Sequence, residues 1–436
     1  MTSDGKEKES TRIGVIGLGY VGLPLALLFV KKGYSVVGIE IDKDKVRRLS
    51  GEASSYIPDI SDEEIKQAND TGRFHVTTDH AEVASLDAIV ICVPTPLNPY
   101  HTPDLSYLQT VAYALITSLR KDQLVVVESS TYPGTTRELL QPLLEKSGLS
   151  VGKDFFLAFS PERIDPGNKD FSIEQITKVV GGVTEECLRR VYDLYSQVFD
   201  NVLKVSSPEV AELSKLLENT YRFVNIGLIN ELALLCDTMK IDLWEVIEAA
   251  KTKPYGFQPF YPGPGIGGHC IPVDPLYLQW KAKQFQHRSN FIQLSHQRNQ
   301  MMPIYVVNKI NEHLAENGSL FGSKILIYGV TYKKNINDTR ESAALSIIHL
   351  LQHKGAEVCY HDPFVPEFKV DGRTLKSVEL SDEVLRQMDG VVILTEHSQI
   401  PVEKILDHAK FVYDARNATS GYGGKAKVVR LGGGFG

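Results

Sequence analysis

Apolar positions along the chain fall into short, recurring runs. Residues 11–16 form the first, which closes on Gly17-Leu18-Gly19-Tyr20-Val21-Gly22. Residues 23–32 then carry apolar side chains at helical spacing up to Gly33, a suitable left-handed residue to end a helix. A second apolar run at 35–41 ends on Glu40 and Asp42, so strand, glycine turn, helix and strand follow in order. Further runs at 88–93, 124–127, 155–159 and 178–180 predict strands, with helical segments between them such as 105–119. This alternation predicts a parallel sheet covered by helices.

Ser206-Ser207-Pro208-Glu209 has the composition of a helix start: serine caps, a proline in the first turn and an acid near the positive end. The helical pattern runs from there to about Lys240, long for a globular helix. After Pro303, residues 304–314 predict a helix and 323–330 another strand. The opening order then returns: a helix at 343–354 closing on Gly355, strands at 356–360, 391–394 and 411–413, with His361-Asp362 and Asp414 at strand ends. KKGYSVVGIEID compares with HKGAEVCYHDP, and LDAIVICVPTP with MDGVVILTEHS, in order of elements more than in letters. The expected fold class is α/β, with two Rossmann-like parallel-sheet domains joined by a long central helix and a small helical domain. Its boundaries fall at 1–10 for a flexible tail, 11–205, 206–315 and 316–436.

Composition narrows the function more than the fold. A chain of 436 residues needs roughly two to four cores. Its net charge of -7, with the densest cationic run at 43–48 interrupted by Asp44 and Val46, argues against nucleic acid as a partner. The five cysteines, Cys92, Cys187, Cys236, Cys270 and Cys359, are scattered and hold no C-x-x-C pair, which points to a reducing cytoplasm rather than disulfides or zinc. MTSDGKEKES lacks the apolar stretch of a secretory signal, and no later segment is apolar for long enough to span a bilayer.

Candidate chemistry starts at the first glycine turn. Gly17 permits the turn, Gly19 lets a pyrophosphate approach the backbone, Gly22 allows close helix-to-strand packing, and Glu40 is placed for a ribose hydroxyl. The plainer alternative is a turn rich in glycine for steric reasons alone. An acid at the end of the second strand repels a 2′-phosphate, so NAD is expected rather than NADP. Thr95, Ser130 and Thr131 lie at the carboxyl ends of predicted strands, where such sheets bind ligands, although isolated hydroxyls also serve as helix caps. Lys215, Asn219 and Arg222 stand at i, i+4 and i+7, a stripe able to bind an oxyanion or simply a solvated helix face.

The stretch GPGIGGHCIPVD sets Cys270 among Gly263, Gly265, Gly267 and Gly268. Free cysteine is usually a small buried hydrophobe, yet a glycine loop gives the access a nucleophile needs. His269 beside it suggests a dyad or a metal pair, but neighbours in an extended loop point apart, which argues against zinc. A dinucleotide and a nucleophilic thiol together suggest two hydride transfers. The thiol traps an aldehyde as a thiohemiacetal, this oxidises to a thioester, and water releases an acid.

These residues resemble the nucleotide-sugar 6-dehydrogenases of the UDP-glucose/GDP-mannose dehydrogenase family, which oxidise UDP- or GDP-hexoses to uronic acids with two NAD. The likeness runs from GLGYVGLP at Gly17 through SPERIDPG at Ser160, KLLENTYR at Lys215 and GGHCIPVDP at Gly267 to GVTYKKNINDTRES at Gly329. It implies an NAD-binding first domain, a central helical dimerisation and catalytic domain, and a UDP-sugar-binding last domain. It also implies that Cys270 is the nucleophile and that Lys215 and Asn219 stabilise oxyanions. Asp274 would hold a catalytic water with Lys215, Glu162 would assist hydrolysis, and Thr131 would position the water near the nicotinamide. Gly17, Gly19, Tyr20, Val21, Gly22, Glu40, Asp42, Thr95, Ser130, Thr131 and Arg340 would hold NAD. Glu162, Arg163, Lys215, Asn219, Arg222, Phe257, Gly263 and Lys333 would grip the sugar or the UDP. A homodimer or an assembly of dimers is implied through the long helix.

UDP-glucose dehydrogenases usually carry a serine before the cysteine and Phe-Pro-Lys-Asp after it, whereas this chain has His269 and Ile271-Pro272-Val273-Asp274-Pro275. That departure resembles the branch acting on UDP-N-acetylhexosamines, and residues 251–261 resemble UDP-N-acetylglucosamine 6-dehydrogenases. The expected reaction is oxidation of UDP-N-acetylglucosamine to its uronate for a surface polysaccharide or related glycan. UDP-N-acetylmannosamine, UDP-N-acetylgalactosamine and UDP-glucose are the alternatives within the class, and a non-catalytic nucleotide-sugar sensor is the alternative outside it.

Overall fold

The computed structural model describes residues 10–57, 59–164, 171–268, 270–315 and 319–434; the expected tail, up to residue 9, and His269 lie outside the described residues. The chain divides into two compact units. One is Met1–Glu218 with Leu276–His287, the other Asn219–Pro275 with Arg288–Gly436.

The first unit is built on β1 (Arg12–Ile16), β2 (Ser35–Ile39), β3 (Phe74–Thr77), β4 (Ala88–Ile91), β5 (Leu124–Val127), β6 (Phe156–Phe159), β7 (Lys178–Gly182) and β8 (Val202–Val205). They form one sheet in the order β3-β2-β1-β4-β5-β6-β7-β8. The central strands are buried along nearly their whole length, as continuous β-branched runs between helical layers should be. Helices α1 (Gly22–Lys31), α2 (Lys43–Ser50), α3 (Asp62–Asp70), α4 (Ser106–Ile116), α5 (Gln141–Leu144) and α6 (Glu185–Tyr195) connect the strands. Strands β3 and β8 escaped the sequence pattern because FHVT buries only alternate residues and VLKV lies half-buried or exposed at the sheet edge.

One expectation is corrected here: β7 runs antiparallel to β6, with Ala158 opposite Gly182 and Phe159 opposite Gly181. A parallel return needs a crossover of a dozen or more residues, usually helical. Between Phe159 and Lys178 the described residues hold only a short 3-10 turn, Ile173–Gln175. The reversal brings the first residue of β7, Lys178, to the carboxyl end of β6.

Helix α7 (Pro208–Met239) is 32 residues long and stops where Lys240 turns left-handed at φ 59. Helices α8 (Leu243–Lys251), α9 (Cys270–Gln284) and α10 (Asn290–Ala315) follow it. Helix α10 corrects a second expectation, because it begins at Asn290 and runs through Pro303 rather than starting after it. An interior proline costs about 3 kcal/mol. Met302, Val306, Val307 and Ile310 are all buried in one core cluster that spans the proline, and that burial offsets the cost.

The second unit's parallel sheet has the order β10-β9-β13-β14-β15, with β9 (Lys324–Tyr328), β10 (Glu357–His361), β13 (Gly390–Ile393), β14 (Phe411–Asp414) and β15 (Lys427–Arg430). A hairpin, β11 (Glu367–Val370) and β12 (Arg373–Lys376), branches from it, and α11 (Ala343–His353), α12 (Asp382–Gln387) and α13 (Val402–His408) cover it. The internal repeat holds at single hydrogen bonds. Gly17 follows β1 at φ 89 and donates its N–H to Ile39 O at 2.9 Å, while Gly329 follows β9 at φ 83 and donates to His361 O at 2.9 Å. The next amide goes to the acid closing the second strand in both lobes, Leu18 to Glu40 at 3.0 Å and Val330 to Asp362 at 2.8 Å.

Candidate active site

In the first unit the glycine turn has the shape a dinucleotide requires. A Cβ on Gly17 would lie 2.8 Å from Cys92 O, and one on Gly22 would lie 1.9 Å from Gly17 O, so both positions exclude side chains. A Cβ on Gly19 would meet nothing within 4 Å, leaving the open approach a pyrophosphate uses. Helix α1 begins after Val21 with no side-chain cap and no acid in its first turn, which suits an anion at that end of the helix. Tyr20 and Val21 are half-buried beside this turn.

Glu40 is buried and accepts N–H groups of Leu18 at 3.0 Å and Asp42 at 3.2 Å, which locks the acid onto the turn. Asp42 is exposed and caps α2 by accepting from Asp44 N at 2.9 Å and Lys45 N at 3.3 Å. Thr95 Oγ1 donates to Ser130 O at 2.6 Å, tying together the loops that follow β4 and β5. Next to Ser130, the buried Thr131 Oγ1 has no hydrogen-bond partner among the described residues. An orphaned hydroxyl at this end of the sheet suits a cofactor amide or a water.

A cluster of charges lies under the same end of the sheet. Lys178 Nζ meets Glu128 Oε2 at 2.6 Å and Glu162 Oε2 at 3.5 Å, with all three side chains buried. Tyr195 Oη donates to the other Glu128 oxygen at 2.5 Å. Burial pushes the Glu128 carboxyl above the usual range, even with the Lys178 ammonium beside it. Burial also works against the Lys178 charge, but Glu128 and Glu162 outweigh it and raise its affinity for the proton. Glu162 Oε1 accepts the N–H of Ile164, while Oε2 accepts no hydrogen bond among the described residues.

Glu212, one turn before Lys215 on α7, accepts Gly134 N at 2.6 Å, Thr136 N at 2.9 Å and Thr136 Oγ1 at 2.7 Å. It therefore fastens the segment after Thr131 to the long helix. Its pKa is pushed up to about 7 because burial outweighs these three donors. A raised carboxyl contributes stability that is full below its unfolded value near 4.5 and lost as pH rises through about 7. Wild type is expected to lose on the order of 3 kcal/mol more than Glu212→Gln between pH 5 and pH 8, from urea unfolding at each pH. Equal losses in the two proteins would show that Glu212 does not titrate in that window.

Helix α9 corrects the reading of GPGIGGHCIPVD as an extended loop, since Cys270 is the first residue of a helix and not a loop residue. Pro272 falls in its first turn, where a missing N–H is no loss, while Pro275 stands inside the helix. Cys270 is exposed; Cys92, Cys187 and Cys236 are buried and Cys359 partly so. In the second unit, Asp274 is fully buried and Asn219 Nδ2 donates to its Oδ2 at 2.6 Å across 55 positions of sequence. Asn219 and Lys215 lie one turn apart on α7, both buried, and Lys215 makes no ion pair among the described residues. The stripe is therefore not a solvated face, although Arg222 at its end is exposed.

The glycines before Cys270 are closely held within the second unit. Gly263 donates to Asn230 Oδ1 at 2.9 Å, Ile266 to Asn299 Oδ1 at 2.6 Å, and Gly268 to Arg340 O at 3.0 Å. Cβ atoms on Gly267 and Gly268 would lie 2.7 Å and 2.8 Å from the Tyr332 side chain. Gly263 has the Arg416 guanidinium 2.7 Å from where its Cβ would be. Lys333 is half-buried in the segment after β9, Phe257 is exposed, and the exposed Arg340 is paired with Asp338 at 2.6 Å. Arg163, in the first unit, is held by Glu218 at 2.8 Å and by Thr177 O at 2.8 Å.

Three segments of the chain match successive family models. Residues 11–199 match the NAD binding domain of the UDP-glucose/GDP-mannose dehydrogenase family, 209–301 its central domain and 326–421 its UDP binding domain. The chain belongs to this family. It is an NAD-dependent nucleotide-sugar 6-dehydrogenase, related to the UDP-N-acetylhexosamine 6-dehydrogenases. A UDP-N-acetyl-D-glucosamine 6-dehydrogenase of Pseudomonas aeruginosa is 38% identical over 357 residues, 81% of this chain and 83% of that protein. A UDP-N-acetyl-D-mannosamine dehydrogenase of Pyrococcus horikoshii is 33% identical over 414 residues, 93% of this chain and 95% of that protein. The solved structure of the UDP-D-ManNAc dehydrogenase from Pyrococcus horikoshii overlays with a TM-score of 0.89 at 32% identity, covering 97% of this chain and 100% of that one.

The dehydrogenase also contains groups that sequence patterning passed over. Lys178 was hidden as the head of an apolar run, and Glu128 as the first letter of a hydroxyl-rich stretch. Tyr277, seven residues after Cys270, donates to Thr95 O at 2.7 Å, and Lys281 pairs with Glu138 at 2.6 Å. The i, i+7 and i+11 spacing from Cys270 was the available signal for both.

Proposed function

We propose that this dehydrogenase oxidises the sugar 6-hydroxyl of UDP-N-acetylglucosamine to the carboxylate in two steps on Cys270, giving UDP-N-acetylglucosaminuronate. The observation that carries the reading is an exposed thiol at the start of α9, one turn before a buried Asp274 that is hydrogen-bonded to Asn219. Amide dipoles at a helix N-terminus favour negative charge on a sulfur placed there. NAD supplies the hydride acceptor for each oxidation at C6.

After the first oxidation the Cys270 thiolate adds to the aldehyde carbon, and the carbonyl oxygen becomes an oxyanion that Lys215 and Asn219 stabilise. The second oxidation of this thiohemiacetal leaves a thioester. Water held by Lys215, Asp274 and Thr131 then adds to the thioester carbon and gives its proton to Glu162, and the carbon–sulfur bond breaks to return the thiolate. On the same reading Gly17, Gly19, Tyr20, Val21, Gly22, Glu40, Asp42, Thr95, Ser130 and Arg340 serve NAD. Arg163, Arg222, Phe257, Gly263 and Lys333 serve the UDP-sugar.

The gluco epimer is chosen from residues 251–261 and from the similarity to the UDP-N-acetyl-D-glucosamine 6-dehydrogenase of Pseudomonas aeruginosa, against the similarity to the UDP-N-acetyl-D-mannosamine dehydrogenase of Pyrococcus horikoshii. A homodimer is part of the proposal. Val210, Leu213, Leu217, Leu228 and Leu235 leave an exposed apolar stripe along α7 that a second copy would cover. The five scattered cysteines, with no C-x-x-C pair, agree with a reducing compartment, and no described helix is long and apolar enough to cross a membrane.

The test is a panel of UDP-N-acetylglucosamine, UDP-N-acetylmannosamine, UDP-N-acetylgalactosamine and UDP-glucose with NAD or NADP, following NADH and product mass. The expected result is highest kcat/KM for UDP-N-acetylglucosamine with NAD, and two NADH per uronate. A ratio near one would sink the four-electron reaction. Preference for another sugar would replace the substrate, and no turnover would favour a sensor.

A further inference from the structure

The charged cluster at the ends of β5, β6 and β7 has no place in the steps above apart from Glu162. Lys178 is the first residue of the reversed strand β7 and is buried among two carboxylates and two aromatic rings, with Nζ 6.0 Å from the Tyr195 ring centre and 5.3 Å from that of Phe199. A lysine in such a place carries a large desolvation penalty unless its partners are well placed. A salt link serving only stability would be satisfied by Glu128 alone, which lies 2.6 Å from Nζ and is itself anchored by Tyr195 Oη. The same ammonium also meets Glu162 Oε2 at 3.5 Å, the oxygen with no hydrogen bond among the described residues. The other Glu162 oxygen is held by Ile164 N. Glu162 is thus restrained at one oxygen by a backbone amide and at the other by a charge with a long, open contact.

We propose that Lys178 is a positioning residue for the hydrolytic half of the reaction, with Tyr195 and Glu128 as its anchor and Glu162 as the carboxylate it places. The inference rests on the reading of Glu162 as the group that takes the proton of the attacking water. In that step the carbon–oxygen bond forms, the carbon–sulfur bond breaks, sulfur leaves as thiolate and the water proton moves to Glu162, with no change of oxidation state. Lys178 touches none of the reacting atoms. Its effect is confined to the step that uses Glu162, so both oxidations should proceed without it and acid release should not.

The experiment compares Lys178→Met, Glu162→Gln and the double variant Lys178→Met/Glu128→Gln in the full-length enzyme with NAD and the best substrate of the panel. Acid-quenched first turnovers are analysed for NADH, uronate and the acyl adduct on Cys270. Lys178→Met is expected to form two NADH per site at close to the wild-type rate and then to accumulate the adduct, with uronate release slowed about 10²- to 10⁴-fold, the range of a general base. Glu162→Gln should show the same slowed uronate release with the adduct on Cys270 accumulating, whatever its effect on the oxidation rate. The double variant leaves no unpaired charge on Glu128, so it carries the test if the single variant does not fold, and it should keep the hydrolytic defect. Wild-type uronate release by the double variant would overturn the proposal and leave Lys178 as a partner of Glu128 alone. Normal release by Lys178→Met with slow release by Glu162→Gln would overturn it while sparing the role of Glu162. Normal release by Glu162→Gln would remove the reading of Glu162 and this inference with it.

Discussion

A Cys270→Ser enzyme is expected to release almost no uronate, with turnover to acid reduced on the order of 10⁴-fold or more. A serine hydroxyl is a weak nucleophile unless an adjacent base activates it, and its ester would not form at the rate of a thioester. The substitution exchanges sulfur for oxygen at an exposed residue heading α9, so folding should be preserved within about 0.5 kcal/mol. NAD binding should be intact, because the glycine turn at Gly17, Gly19 and Gly22 lies in the other unit. The measurement is uronate by mass over time, with the thermal midpoint as control. Wild-type amounts of uronate would take the cysteine out of the mechanism.

Lys215→Met comes second in size. Removing one donor to a developing oxyanion lowers kcat by about 10²- to 10³-fold. The stability change should have the opposite sign. Lys215 is buried and has no ion pair among the described residues, so an apolar side chain of similar length relieves a desolvation penalty. The variant is therefore expected to unfold at the same or higher urea concentration while losing activity, as groups placed for catalysis rather than stability do. An unchanged kcat, or clear destabilisation, would make Lys215 a structural residue.

Much of this protein was legible along the chain. The glycine turn, the strand ends that bear Thr95, Ser130 and Thr131, and the second lobe all follow from apolar periodicity and the left-handed freedom of glycine. These are local properties. The long helix was legible too, from its cap at Ser207 to its stop near Lys240. Local rules failed where packing overruled them. Pro303 should have opened a helix but stands inside α10, because buried side chains on both sides of it belong to one core. Cys270 should have lain in a loop but heads α9, because Pro272 in the first turn of a helix loses no hydrogen bond there, while Pro275 is carried inside the helix.

The sequence by itself determined most of the elements that form, that the first lobe is shaped for a dinucleotide, and that Cys270 stands apart from the other four cysteines by its glycine-rich setting. Strand direction is a different matter, since an apolar run reads the same parallel or antiparallel. Only the tertiary structure decided that β7 turns back beside β6, and that reversal carries Lys178 to Glu128 and Glu162. Only the tertiary structure joined Asn219 to Asp274 across 55 positions. The physical reason is the same in both cases. Periodicity reports which face of an element is buried, whereas a buried charge finds its partner through distances that exist only after the elements have packed.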